Sequence, residues 1–441
     1  MHTLEQLRRG ELVGIQRLQL RCDLTEFPRE IFDLADSLEI LDLSGNQLSA
    51  LPDDLPRLHK LRVIFCSDNP FTELPEVLGQ CQQLSMIGFK ANRIEHVSPK
   101  ALPPLLRWLI LTDNALTELP AEVGQCAHMQ KLMLAGNQLR SLPAELANCT
   151  RLELLRISAN QLTELPEWLL QMPRLTWLAF AGNPFTHALE AQALANAPTP
   201  PIAWSNLQLQ HQLGEGASGV IHQAVLHHDE GTQAVAVKLF KGAVTSDGLP
   251  DCEMAACMHA GKHPHLVSAI TSVSGHPSNQ QALVMPLIDP EFINLANPPS
   301  LASCTRDVYD AHTSIKSSTV RRWALGLTSA MRHLHDQGLM HGDFYAHNIL
   351  CVPEGDARLG DFGAASFFSK QDQTLAEGLQ RIEVRALGCL LEELLAHCDA
   401  CDALENLADV KTIMHQCLSE TPSQRPLFAR IESSLQSSEL V

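Results

Sequence analysis

At 441 residues the chain is long for one hydrophobic core, so two or three domains are expected. Its formal charge of −18 excludes a nucleic-acid partner, which would need clustered Lys and Arg. No apolar run of about 18 residues occurs, so no membrane span is expected, and the N-terminus lacks the basic and apolar regions of an ordinary signal peptide. The 13 cysteines are odd in number and scattered, which suits reduced thiols and points to a cytoplasm, though delivery into a host cell is compatible with the same composition. Cys398 and Cys401 form a Cys-x-x-Cys pair without a second pair, which reads as structural rather than metal-binding.

The first 190 residues repeat. Asn46, Asn69, Asn92, Asn114, Asn137, Asn160 and Asn183 recur at intervals of 23, 23, 22, 23, 23 and 23, and Asp23 takes the same place one period earlier. Around each lies the pattern Leu-x-x-Leu-x-Leu-x-x-Asn-x-Leu, as in Leu38-Glu39-Ile40-Leu41-Asp42-Leu43-Ser44-Gly45-Asn46-Gln47-Leu48. This resembles the leucine-rich-repeat family, with about eight repeats, and implies an α/β solenoid. One repeat cannot bury its apolar side alone, so the leucines of successive turns stack into one core. Asn suits its place because its side chain both donates and accepts, and can bridge adjacent turns. Leu-Pro steps such as Leu74-Pro75 and Leu119-Pro120 favour extended backbone on the return side. Cys81, Cys126 and Cys149 recur in phase and read as small buried hydrophobes.

Strand alternation sends the residues between the leucines to the concave face. That face is apolar, with Phe65, Trp108, Met133 and Trp177 as anchors for a protein partner, which could be the chain's own second half. Residues 187–197 are Ala-rich and helix-like and read as a cap. Pro198-Thr199-Pro200-Pro201 stiffens a short linker. The expected domains are residues 1–195 for the repeats, 196–204 for the linker and 205–435 for the second domain.

After the linker, Gly214, Gly216 and Gly219 form a G-x-G-x-x-G run between apolar alternations, which reads as a hairpin turn whose backbone can approach phosphates. Lys238 follows 19 residues after Gly219 in Val235-Ala236-Val237-Lys238, and Glu253 on a helical stretch can pair with it. Then come His263-Pro264-His265, the buried-strand run Ala282-Leu283-Val284-Met285, and His341-Gly342-Asp343-Phe344-Tyr345-Ala346-His347-Asn348, with Asp361-Phe362-Gly363 thirteen residues past Asn348.

In that order and spacing, these motifs resemble the eukaryotic-type protein kinase family. The resemblance implies an α+β bilobal kinase fold, with ATP and Mg²⁺ in the cleft. It assigns Asp343 to orienting the acceptor hydroxyl and taking its proton. Asn348 and Asp361 are assigned to Mg²⁺, and Lys238, held by Glu253, to the phosphates. Gly214, Gly216, Gly219, Ile221, Ala236, Met285 and Leu287 complete the nucleotide site. The implied activity is ATP-dependent phosphorylation of Ser/Thr, less readily Tyr, with the repeats recruiting substrate or regulator. A nucleotide-binding scaffold without turnover and a small-molecule kinase are the alternatives.

Departures from the family pattern bear on regulation. Gly342 stands where the family has Arg, so no guanidinium is there to hold an activation-loop phosphate. Tyr345 stands where Ser/Thr kinases have Lys. No Ala-Pro-Glu follows Asp-Phe-Gly, and the next helix is expected over Ile382–Ala396, which makes a short activation segment. Glu383 falls near the family's helix-anchoring Asp, and Glu377 is a candidate partner for Arg425. Ser366, Ser369 and Thr374 are candidate autophosphorylation sites.

Overall fold

A computed structural model describes residues 2–195, 199–216, 218–229, 231–242, 244–245, 247–399 and 407–437. Cys401, Ala217 and part of the proposed linker lie outside these. The chain packs as two compact units, Met1–Arg174 and Leu175–Val441.

In the first unit a short helix, α1 (Leu4–Arg8), is followed by seven three-residue strands. They are β1 (Arg17–Gln19), β2 (Ile40–Asp42), β3 (Val63–Phe65), β4 (Met86–Gly88), β5 (Trp108–Ile110), β6 (Lys131–Met133) and β7 (Leu154–Arg156). Neighbours pair in parallel, each residue against its equivalent one repeat away. The middle residue of every strand is fully buried, as two-residue alternation requires. The asparagines bridge turns as their chemistry allows. Asn46 accepts from the Cys22 and Leu24 amides at 3.0 and 3.1 Å and donates to the Leu20 and Leu43 carbonyls at 2.9 and 2.8 Å. On the return side, Pro75, Pro120 and Pro143 are extended and each opens a 3-10 turn. The phased cysteines are buried, and burial pushes the Cys81, Cys126 and Cys149 thiols up to about 11, 11 and 12. This unit is a leucine-rich-repeat solenoid.

The second unit begins with the last repeat strand, β8 (Trp177–Ala179), and helix α2 (His187–Ala195). Next come β9 (Ile202–Ala203), β10 (Leu207–Glu215), β11 (Gly219–His228), β12 (Gly231–Phe240), helix α3 (Pro250–His259), β13 (Thr271–Ser274) and β14 (Ala282–Pro286). These strands form one sheet in the order β10-β11-β12-β14-β13-β9. Ala224, Leu226, Val235, Val237, Ala282 and Val284 make its core.

The larger lobe is mostly helical. After β15 (Ile293–Asn294) comes α4 (Ser317–Asp336), which buries Val320, Trp323, Ala324, Leu327, Ala330, Met331 and Leu334, a stripe at helical spacing. Short strands β16 (Leu339–Met340), β17 (Ile349–Cys351), β18 (Ala357–Leu359) and β19 (Ser366–Phe367) carry the motif loops. Helices α5 (Gln373–Ala396), α6 (Ala408–Cys417) and α7 (Phe428–Ser437) complete the lobe, with α6 packed on α5 and α7 on α4. Helix α5 starts nine residues earlier than the expected Ile382. The Asp372 side chain accepts from the Leu375 amide at 3.0 Å and caps a helix that the sequence pattern alone had left open. The segment after Asp361 is therefore shorter still.

Candidate active site

The site is built where β12, α3 and the motif loops meet. Alternation along β12 puts Val235 and Val237 into the sheet core and Ala236 and Lys238 on the opposite face. There the Lys238 ammonium forms an ion pair with Glu253 of α3, both side chains being nearly buried. Burial opposes the Lys238 charge, but Glu253 and Asp361 outweigh it and hold the ammonium above its ordinary value. Burial pushes the Glu253 carboxyl up, against the pull of Lys238. Glycine hairpin β10–β11 sits beside them, with Ile221 in register with Lys238 and Ala236 with Met285. A cleft of about 260 Å³ is lined by Ile221, Lys238, Glu253, Met285, Asn348 and Asp361 among others. Gly214, Gly216, Gly219, Ala236 and Leu287 do not line it. Space is open where a Cβ would stand on Gly214 or Gly216, whereas on Gly219 it would lie 2.6 Å from the Leu239 carbonyl. A larger cavity of about 450 Å³ beside α4 holds none of the motif residues assigned above.

Glu383, buried in the middle of α5, organises the loop of Asp343. It accepts from the His341 amide at 3.2 Å and the Gly342 amide at 2.7 Å, and meets the His335 ring nitrogen at 2.7 Å. The sequence had placed Glu383 near such an anchor, and the geometry makes it one. The His341 ring contacts the Gly360 carbonyl at 2.9 Å and so ties this loop to the residue before Asp361. Asn348 donates its amide to the Asp343 carbonyl at 2.9 Å and to the Asp343 carboxylate at 2.7 Å. The Asn348 amide nitrogen is thus occupied, leaving its oxygen for another partner. Asp361 takes left-handed backbone, with φ 54°, and its carboxylate accepts from the Gly363 amide at 3.2 Å. A Cβ built on Gly363 would lie 3.7 Å from the Glu253 carboxylate, so Lys238, Glu253 and the Asp361 turn share one neighbourhood.

Sequence reasoning missed the second support of this loop. Asp307 accepts from the His347 amide at 2.9 Å and meets its ring nitrogen at 2.7 Å. Burial opposes charge on His347, but Asp307, with Asp343 and Asp361, overrides it and raises the imidazole above its ordinary value. Nothing in the sequence around Asp307 signalled this.

Three earlier expectations change. Trp177 is 2% exposed, because its ring stacks on Tyr345 with centroids 4.0 Å apart, so it is no free anchor of the concave face. Ser366 is fully buried, accepts from the Phe180 amide at 3.0 Å, and is closed to a second substrate molecule. Glu377 pairs with Arg381 at 2.9 Å, while Arg425 donates to the carbonyls of Ser419 and Arg381.

Comparison with known proteins decides the class. Residues 207–398 match the family described as protein tyrosine and serine/threonine kinase. Residues 104–162, 127–185 and 37–58 match leucine-rich-repeat families. The chain joins leucine-rich repeats to a protein kinase domain. It is 23% identical over 270 residues to the tyrosine-protein kinase receptor TYRO3 of Mus musculus, covering 52% of this chain and 30% of that protein. It is 21% identical over 252 residues to a probable cyclin-dependent serine/threonine-protein kinase of Dictyostelium discoideum, covering 53% and 37%. The chain thus spans about a third of the length of these curated relatives. A solved leucine-rich-repeat protein of Leptospira interrogans aligns with 23% identity and a TM-score of 0.35, covering 42% of this chain and 53% of that one. Relatives of the kinase domain include both tyrosine and serine/threonine kinases, so they leave the acceptor open. Among the described residues no helix is long and apolar enough to cross a membrane.

Proposed function

We propose that the kinase domain transfers the γ-phosphoryl group of ATP to protein hydroxyls, Ser/Thr in preference to Tyr, and that the repeats recruit a protein substrate or regulator. The observation that carries this is one cleft lined by the Lys238–Glu253 pair, Asn348 and Asp361, with Asp343 outside its lining but held by the Asn348 side chain at 2.7 Å. Two protein oxygens, the Asn348 amide oxygen and the Asp361 carboxylate, are the small hard donor set that suits Mg²⁺ with phosphate oxygens and waters completing its shell. When bound, MgATP supplies the phosphoryl group and neutralises its charge. Lys238 contributes a fixed positive charge to the cleft, positioned by Glu253. Asp343, oriented by Asn348, accepts the proton of the incoming hydroxyl. Phe65, Trp108 and Met133 remain the proposed anchors of the repeat face, and each is partly exposed. The domain limits proposed are 1–195, 196–204 and 205–435, and the mostly buried free thiols favour a reducing compartment such as a cytoplasm.

The test is incorporation of labelled phosphate from ATP with Mg²⁺ into protein. Asp361→Ala should reduce incorporation by roughly a thousandfold, given the loss of a charge-neutralising ligand. Equal labelling by Asp361→Ala and wild type would sink the proposal.

A further inference from the structure

The last repeat strand ends among the catalytic residues. Trp177 lies one repeat beyond Leu154 and two beyond Lys131, yet its ring stacks on Tyr345 at an 8° interplanar angle. Its indole N–H donates to the Phe344 carbonyl at 3.2 Å. The Leu178 carbonyl, with that of Ala364, fills the space where a side chain on Gly342 would begin, 2.7 and 2.4 Å from an ideal Cβ. Two residues on, the Phe180 amide donates to Ser366, in the segment that follows Asp361. Within four residues, then, this strand and the residue after it touch the residue before Asp343, the two residues after Asp343, and the activation segment. Helix α2, which follows the strand, packs on α3, and burial together with its Glu190 pushes up the thiol of Cys252, the neighbour of Glu253. The same short stretch of chain therefore braces both the loop of Asp343 and the helix of Glu253.

Loops with few such contacts open readily, and braced ones do not. We propose that Trp177 is a positioning residue of the phosphoryl-transfer site, and that the last repeat is a built-in clamp holding the Asp343 loop in place. This rests on the role given to Asp343 above. It makes sense of two departures together. Gly342 has no side chain because its backbone is left-handed and the Ala364 and Leu178 carbonyls, 2.4 and 2.7 Å from an ideal Cβ, share that space, and Tyr345 is aromatic where it faces Trp177. The loop is ordered by packing, with no need for a phosphate clamped by an Arg at position 342.

The experiment uses the full chain as wild type, Trp177→Ala, Trp177→Phe and Asp343→Asn. Amide hydrogen exchange is read over residues 341–348, and kcat and KM for ATP are measured alongside. In Trp177→Ala, exchange over 341–348 should quicken about 10- to 100-fold, from loss of a stacked pair and a hydrogen bond. Its kcat should fall by a similar factor, with KM for ATP within about twofold, because Lys238 and Met285 are untouched. Trp177→Phe keeps the stack and loses only the N–H bond, so both effects should shrink to about fivefold. Wild-type exchange over 341–348 in Trp177→Ala overturns the clamp, as does an unchanged kcat or a parallel rise in KM. Should Trp177→Ala not fold, Trp177→Phe decides, and wild-type exchange there overturns the proposal. A wild-type protein that transfers no phosphate, like Asp343→Asn, overturns the kinase reading instead, while exchange over 341–348 still decides the clamp.

Discussion

Placing Arg at position 342, as resemblance to other protein kinases suggests, should damage this protein. The backbone of Gly342 has φ 76°, in the left-handed region. A residue with a Cβ costs about 1–2 kcal/mol there. An ideal Cβ would lie 2.4 Å from the Ala364 carbonyl oxygen and 2.7 Å from that of Leu178, and both are backbone atoms that cannot swing aside. Forcing them apart costs about 1–3 kcal/mol by the usual price of overpacking. Retreat of residue 342 instead would stretch the 2.7 Å bond from its amide to the Glu383 carboxylate, so relaxation offers little relief. The sum is about 2–5 kcal/mol, a large part of a typical stability of about 5–15 kcal/mol. For a unit of this size each kcal/mol lowers Tm by about 2–4 °C, so a loss of roughly 4–20 °C is expected. Thermal unfolding of Gly342→Ala isolates the backbone and Cβ effects, and Gly342→Arg adds the long side chain. A Gly342→Ala protein that melts within about 1 °C of wild type would refute the reasoning.

Lys238→Met should cost about 3–5 kcal/mol by leaving Glu253 buried and unpaired. Loss of Lys238 pushes the Glu253 carboxyl further up, so the folded state holds its proton more tightly and stability falls as pH rises through the ordinary carboxylate range. The Tm deficit should therefore be larger at pH 8 than at pH 5 and should shrink in Lys238→Met/Glu253→Gln; a deficit equal at both pH values counts against the pair. His263 is held down to about 4 by burial and by His333 and His265. Stability it contributes at neutral pH should drain away as pH falls from about 6.5 towards 4, limited to about 1 kcal/mol because the ring is half-exposed, and His263→Gln should flatten that part of the Tm profile. After incubation with MgATP, phosphopeptide mapping should find label at Ser369 or the exposed Thr374 and none at Ser366, whose hydroxyl is buried against Phe180.

What could be read from the sequence was whatever has a period or a fixed motif. A 23-residue phase held over seven asparagines is a statement about stacking, and the strands, buried leucines and bridging amides follow from it. Of the motif residues, Lys238, Glu253, Asn348 and Asp361 line one cleft, and each is legible because its position calls for one chemical type. What stayed hidden were pairings between residues far apart with no pattern joining them. Asp307 lies 40 residues from His347, and Ser366 lies 186 from Phe180. The start of α5 was also hidden, since only the Asp372 cap marks it. Trp177 was named as an anchor for a partner that could be the chain's own second half, and Tyr345 of that half covers it. Its phase was right, but phase reports only which face a residue takes, not what covers that face.

The two tryptophans of one column show how far that distinction reaches. Trp108 keeps its place on the repeat face, with Lys131 4.4 Å above its ring and its N–H 3.4 Å from the Met133 sulfur, and it remains partly exposed. Trp177 has the same register three repeats later and is 2% exposed. Composition changes near residue 200, where prolines stiffen the chain, whereas packing changes between Arg174 and Leu175. The last repeat strand and helix α2 lie between the two breaks. The last repeat matches the leucine-rich-repeat family to residue 185, yet it packs with the second unit. Gly342 and Tyr345 then read as the kinase side of an internal contact. Beside that contact the Asn348 side chain still holds the Asp343 carboxylate at 2.7 Å.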